Sequence, residues 1–234
     1  MTDLPSNGAQ LASPSYRLPA LDTEFLLSDS MRGVRFQLEF AEADQALRDW
    51  GVRSTVVVFG SARVREDGPP DHARWYAEAR RFGALASRLG GAMRDSSQPR
   101  DNVIATGGGP GIMAAANRGA ADVGAPSIGF NITLPHEEEP NPLSTPDLTF
   151  RTFDELFEIL TLRQTGKAPP IPVVLVDEAH WRAIVGFDAL VAAGLIAASD
   201  LELFRFAETA EGAWQALLNG GLKPYRATDT APAP

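Results

Sequence analysis

The sequence predicts a Rossmann-like α/β fold: a mostly parallel sheet in a three-layer α/β/α arrangement, with a helical extension before its first strand. Three observations carry that reading. Short β-branched runs alternate with amphipathic stretches of helix length, the pattern of a parallel sheet covered by its crossover helices. Two of the runs end in glycine. The second of these glycine turns leads without a break into an alanine-rich helix.

The elements follow in order. Residues 1–20 are polar and proline-rich and are expected to be disordered, residues 21–222 to form one nucleotide-binding domain, and residues 223–234 a disordered tail. From Asp22 to Trp50, residues Phe25, Leu26, Met31, Val34, Leu38, Ala41 and Leu47 recur at helical spacing. This helix precedes the first core strand, so it packs either outside the sheet or on another subunit. Strand one is Ser54–Phe59. Asp71 reads as the N-cap of a helix over Ala73–Leu89, which Gly90 and Gly91 end. Met93–Asn102 reads as a loop, Val103–Thr106 as strand two, and Ile112 to about Val123 as its helix. Strand three is Ser127–Ile132, followed by a loop over Leu134–Pro142 and a weak strand at Leu148–Phe150. Phe153, Leu156, Phe157, Leu160 and Leu162 predict a helix over Phe153–Thr165. Pro172–Val176 is an apolar strand, Asp177 caps a helix to about Ala193, and a last helix spans Phe206–Leu218.

Composition narrows the function. The 234 residues are 44% hydrophobic, enough for one sizeable core. A net charge of −9 argues against nucleic acid and anionic membranes as partners, since both need clustered Lys and Arg. It leaves room for a nucleoside monophosphate, because a nest of backbone N–H groups binds phosphate in an acidic protein as well. The absence of cysteine removes disulfides, thiolate metal sites and cysteine nucleophiles. The three histidines show no metal-ligand spacing, so neither metal nor cofactor is expected. No apolar run is long enough to span a membrane, and the N-terminus lacks the basic and apolar regions of a signal peptide. A cytoplasmic location is the expectation.

The densest chemical signal is Val103-Ile104-Ala105-Thr106-Gly107-Gly108-Gly109-Pro110-Gly111-Ile112-Met113. Glycines at a strand-to-helix turn let backbone amides approach an anion, and the helix dipole favours phosphate there. The spacing is not the dinucleotide fingerprint, which would place an acidic residue at the end of the next strand; that strand ends in Asn131-Ile132-Thr133. It is not a Walker A loop, because no Lys-Ser/Thr follows. Gly60-Ser61-Ala62-Arg63 supplies a hydroxyl and a guanidinium at the tip of strand one, and Arg63 is either a phosphate clamp or a plain surface arginine. His136-Glu137-Glu138-Glu139 follows strand three on the same rim. A carboxylate such as Glu138 would accept from a ribose hydroxyl or a base amino group, although three acids in a row also suit a solvated loop. Thr152 and Glu155 form a T-x-x-E capping box ahead of an apolar helix, a role that accounts for both by itself.

Four blocks together resemble the LONELY GUY (LOG) family: Phe59-Gly60-Ser61-Ala62-Arg63, the glycine turn through Met113, Leu134-Pro135-His136-Glu137, and Thr152-Phe153-Asp154-Glu155-Leu156-Phe157-Glu158. The similarity runs from about Gly51 to Ala193 and points to a longer bacterial subgroup of proteins also called lysine decarboxylase-like. It implies a Rossmann-like homodimer that hydrolyses the N-glycosidic bond of a cytokinin riboside 5′-monophosphate, or of AMP, to free base and ribose 5-phosphate. It implies Glu155 as the catalytic carboxylate. Phosphate and nucleotide would be held by Gly60, Ser61, Gly107, Gly108, Gly109, Gly111, Met113 and Thr152, and the ribose or base would be reached by Arg63 and Glu138. A non-catalytic nucleotide-binding or carrier protein on the same fold is the alternative. True lysine decarboxylation needs pyridoxal phosphate on a lysine, and neither Lys167 nor Lys223 is well placed for it. The chain departs from the family at one point. Of the signature P-G-G-x-G-T-x-x-E only T-x-x-E is present, and Phe150-Arg151 runs directly into Thr152. The family's helix with its catalytic arginine, and the strand entering the signature, amount to about 25 residues at average element lengths. Parallel neighbours need a crossover, so the native protein is expected to carry a complete signature.

Overall fold

The computed structural model describes residues 6–95, 97–132, 139–152 and 171–225. Two compact units meet in sequence between Asp44 and Gln45. The first contains α1 (Gly8–Ala12), 3-10 turns at Pro14–Tyr16 and Pro19–Leu21, α2 (Thr23–Leu26) and a further turn at Asp29–Met31, before α3 (Arg32–Asp49) continues into the second unit. The single helix expected from Asp22 is therefore broken. Ser28 is extended (φ −66°, ψ 156°), and the Arg35 guanidinium donates to the carbonyls that the break frees, Leu26 O at 2.9 Å and Ser28 O at 2.7 Å.

The second unit is built on β1 (Thr55–Val58), α4 (Pro70–Gly90), β2 (Val103–Thr106), α5 (Ile112–Asp122), β3 (Ser127–Ile132) and β4 (Thr149–Thr152). Its four strands lie in the order β1-β2-β3-β4, all parallel, with Val56 opposite Ile104, Ala105 opposite Ile128 and Asn131 opposite Arg151. This is the α/β class with a parallel sheet that the alternating pattern predicts. A second parallel pair, β5 (Val174–Val176) and β6 (Arg205–Ala207), is joined through α6 (Glu178–Ile184) and α7 (Phe187–Ala192) and is followed by α8 (Ala210–Asn219).

Several boundaries differ from expectation. Pro70, not Asp71, opens α4, because proline at the first helical position gives up an N–H that has no partner there anyway; Asp71 sits in the first turn. The helix after Asp177 breaks between α6 and α7 at Val185-Gly186. The last helix starts at Ala210, where the Thr209 side chain accepts from Gly212 N–H, and the residues before it form β6. The weak strand begins at Thr149, after a 3-10 turn at Pro146–Leu148. Arg151 and Thr152 are successive residues of β4. The helix expected over Phe153–Thr165 lies outside the described residues. No described helix is long and apolar enough to cross a membrane.

One hydrophobic core serves both sheets. Val56, Val103, Ile104, Ile128 and Leu148 from the four-stranded side meet Ala207, Trp214 and Leu217 from the other. Burying each of the larger side chains contributes about 2 kcal/mol. The α4–α5 crossing is unusually close because two glycines face the opposing backbone. A Cβ on Gly83 would lie 2.2 Å from Ala116 O, and one on Gly119 would lie 1.9 Å from Arg80 O. Around that crossing Arg80 holds Asp122 through Nε (2.6 Å), and Arg118 holds Glu66 (2.7 Å).

Candidate functional site at the carboxyl edge of the sheet

In a parallel sheet all strands end on the same edge, and in α/β folds that edge faces the ligand. The turn after β1 and the turn after β2 meet there. Gly111 takes φ +71° with its Cα against the first turn: an added Cβ would stand 2.2 Å from Ser61 O and 2.8 Å from the Ala62 backbone. In return, a Cβ on Gly60 would strike Ile112 at 2.4 Å, and Ile112 N–H donates to Ser61 O at 3.2 Å. The two glycine motifs thus form one locked junction, and only residues without a side chain fit it.

Gly111 is also the N-cap residue of α5, and it supplies no side-chain cap. The Ile112 amide is given to Ser61 O, but no carboxylate or hydroxyl of the cap covers the positive end of the helix dipole, a condition that favours an anion at a helix start. Gly107 packs against Met113, whose sulfur would lie 2.9 Å from an added Cβ. Ser61 and Arg63 are exposed, and Ser61 Oγ accepts from Arg63 N–H at 3.2 Å.

A buried polar scaffold shapes the turn from beneath. Thr106 Oγ1 accepts from Gly108 N–H (3.0 Å) and donates to Asn117 Oδ1 (2.7 Å). Asn117 Nδ2 donates to Ser127 Oγ (2.9 Å), and Asn141 Nδ2 donates to both Asn117 Oδ1 and Gly109 O at 3.2 Å. Asn141 N–H adds a bond of 2.8 Å to Gly108 O. Asn117 is fully buried, and Thr106 and Asn141 nearly so. Each group finds a partner, so the network rigidifies the turn instead of weakening the core. Asn131, at the end of β3, stands against Gly108. It is 8% exposed, and its Oδ1 has no hydrogen-bond partner among the described residues. Thr106, Asn117, Asn131 and Asn141 were not singled out by the motif reading. The available signal was a polar residue inside otherwise apolar or alanine-rich runs.

The remaining sequence candidates divide in two. The backbone of Thr152 ends β4 opposite Ile132, on the same edge as the glycine turns. Glu155 and Glu138 lie outside the described residues. Glu139 is exposed, and no group of His, Asp and Glu suited to a metal occurs among the described residues.

A second ordered polar centre lies after β5. Asp177 caps α6 from a left-handed conformation (φ +73°) and accepts from His180 N–H (3.0 Å), Trp75 Nε1 (2.7 Å) and Arg74 Nη2 (2.6 Å). The amide of His180, foremost, and the Trp75 and Arg74 donors hold its carboxyl down at about 2, against the opposing effect of burial. The bonds from α4 tie the start of that helix to the end of β5, which makes Asp177 a structural pin.

A family model described as possible lysine decarboxylase matches residues 149–217, from β4 into α8. Three solved structures of the molybdenum cofactor carrier protein from Chlamydomonas reinhardtii are similar. Their identities are 17, 16 and 18%, with 74, 72 and 74% of this chain and 98, 96 and 98% of theirs covered, at TM-scores of 0.42, 0.41 and 0.41. No curated protein matches the chain.

Proposed function

We propose that the chain binds an adenine-type nucleoside 5′-monophosphate at the paired glycine turns and hydrolyses its N-glycosidic bond. The observation that carries this reading is the junction of Gly60-Ser61 with Gly108–Gly111 over the uncapped start of α5. The positive end of a helix dipole beside a glycine turn suits a phosphate, and holding the phosphate away from the scissile bond orients the ribose. The match over residues 149–217 supports the family resemblance in the region of T-x-x-E. In the reaction the bond from C1′ to the base nitrogen breaks, water supplies the new C1′–O bond, and its second hydrogen ends on the departing base. Positive charge builds on the ribose as the bond breaks. In this reading Glu155 stabilises that charge and orients the water, Thr152 helps hold the phosphate, and Glu138 and Arg63 reach the ribose or base.

A second reading has a specific observation in its favour. Arg151 is followed directly by Thr152 within β4, so the family's arginine and its Pro-Gly-Gly-x-Gly turn have no positions here, and the chain would bind the nucleotide without cutting it. Incubation with AMP and with isopentenyladenosine monophosphate, followed by chromatography of free base, separates the two. Base release that Glu155→Gln abolishes, and that unphosphorylated adenosine does not support, is the expected result for the hydrolase. Calorimetric binding with no release establishes the binding protein. Neither binding nor release of any nucleoside monophosphate rejects both.

A further inference from the structure

One buried polar atom beside the glycine turn is unused. In β3, Gly129 and Asn131 share a face of the sheet, and the turn lies against that face. A Cβ on Gly129 would stand 3.2 Å from Gly108 Cα, and one on Gly108 would stand 2.0 Å from Asn131 Oδ1. Asn131 is more than nine-tenths buried, and its Oδ1 finds no hydrogen-bond donor among the described residues. A buried acceptor without a partner is rare in native proteins and calls for a physical reason. The main chain around it is engaged. Gly108 N–H donates to Thr106 Oγ1 (3.0 Å), Gly108 O accepts from Asn141 N–H (2.8 Å), and Gly109 O accepts from Asn141 Nδ2 (3.2 Å). The two ends of the turn therefore differ in character. At Gly108 stands an open acceptor, Asn131 Oδ1; at Gly111 stands the positive pole of α5. A phosphate dianion has acceptors only, so the first end repels it and the second attracts it. The Gly108 end suits a group that donates.

We propose that Asn131 Oδ1 accepts a hydrogen bond from a ribose hydroxyl, and that this contact selects ribonucleotides over their deoxy counterparts. The assignment rests on the proposed nucleotide function and adds a direction to it. The phosphate lies toward the start of α5, and the sugar lies over Gly108. The ribose is joined to the phosphate through a single carbon, and its hydroxyls are the ligand's donors closest to the phosphate; the amino group of adenine is at the far end of the base. An analogue without the hydroxyl leaves the buried acceptor unpaired, which is the condition for discrimination.

Calorimetric titration of the full chain with AMP, 2′-deoxy-AMP and 3′-deoxy-AMP tests the proposal. The wild-type chain is expected to bind AMP about tenfold tighter than one of the two analogues, the usual effect of one neutral hydrogen bond. The analogue that suffers identifies the hydroxyl. Asn131→Leu keeps nearly the same shape without the acceptor, and the preference is expected to vanish. Asn131→Ala, which adds no bulk, should lose it as well and guards against a poorly folded leucine variant. Asn131→Asp keeps an acceptor oxygen and should retain the preference even where all three ligands bind more weakly. A merely structural role would weaken the three ligands alike and leave their ratio unmoved. Equal wild-type affinity for AMP and both analogues overturns the proposal and leaves the nucleotide function standing. A preference that survives in Asn131→Leu and Asn131→Ala does the same. A wild-type chain that binds no AMP overturns both.

Discussion

Replacing Gly108 by alanine tests whether the glycine turn is held in a conformation that only glycine tolerates. At φ +68° a residue with a side chain loses about 1–2 kcal/mol of backbone energy. The new Cβ would also lie 2.0 Å from Asn131 Oδ1 and 2.7 Å from its Cγ. Asn131 is buried, so its amide has little room to retreat, and overpacking of this kind costs about 1–3 kcal/mol more. Gly124 is the internal control. It has nearly the same φ, +73°, with nothing within 4 Å of an added Cβ. Alanine also restricts the unfolded chain, which offsets about 0.4–1 kcal/mol at either site. Gly124→Ala is therefore expected to lose about 1 kcal/mol or less, and Gly108→Ala about 2–4 kcal/mol. The double variant Gly108→Ala/Asn131→Ala should fall short of the sum of the single losses by about 1 kcal/mol, since the clashing group is gone. Urea unfolding followed by tryptophan fluorescence reads these differences, helped by Trp214 in the core. Calorimetry with AMP reads the site: affinity drops at least tenfold, by rough expectation, for Gly108→Ala and holds for Gly124→Ala. Equal stability losses at the two glycines, or full AMP affinity in Gly108→Ala, would refute the reasoning.

Three further outcomes are expected. Gly119→Ala gains about 0.5–1 kcal/mol of helix preference, yet its Cβ meets the Arg80 carbonyl at 1.9 Å; backbone cannot swing aside, so α4 and α5 must part and the melting temperature falls. Asn117→Ala strips partners from the buried Thr106, Ser127 and Asn141 groups, lowers stability by about 2–4 kcal/mol, and weakens AMP binding with it; an unchanged urea midpoint would count against the scaffold. The Asp177 carboxyl ionises at about 2 in the folded chain against an ordinary 3.8. Its contribution is complete above the unfolded value and is lost as pH falls through about 2, at most about 2 kcal/mol in all. Asp177→Asn should flatten the dependence of the urea midpoint on pH between 4 and 2, and a slope as steep as wild type would show that other carboxylates set the acid limb.

Parts of the molecule were open to reading because one physical signal dominated them. Val103–Thr106 and Ser127–Ile132 are short runs rich in β-branched or apolar residues, bounded by glycine, proline or polar residues, and both strands have those limits. The meeting of the two glycine turns follows from strand-to-turn order in a parallel sheet. What stayed hidden was either short or remote. Arg205–Ala207 is a three-residue strand with no alternation to detect, and the break before Phe187 rests on a single glycine. Asn141 reaches the glycine turn from 32 residues beyond Gly109, a proximity that only the folded chain creates.

Because Asn141 occupies the carbonyls of Gly108 and Gly109 while Thr106 holds the Gly108 amide, the outline of the turn is set by bonds within the chain. Under the proposed function, a nucleotide then spends almost nothing on ordering the chain. Its capture is expected to be governed by diffusion and by the repulsion of two acidic molecules, and so to quicken as salt is added.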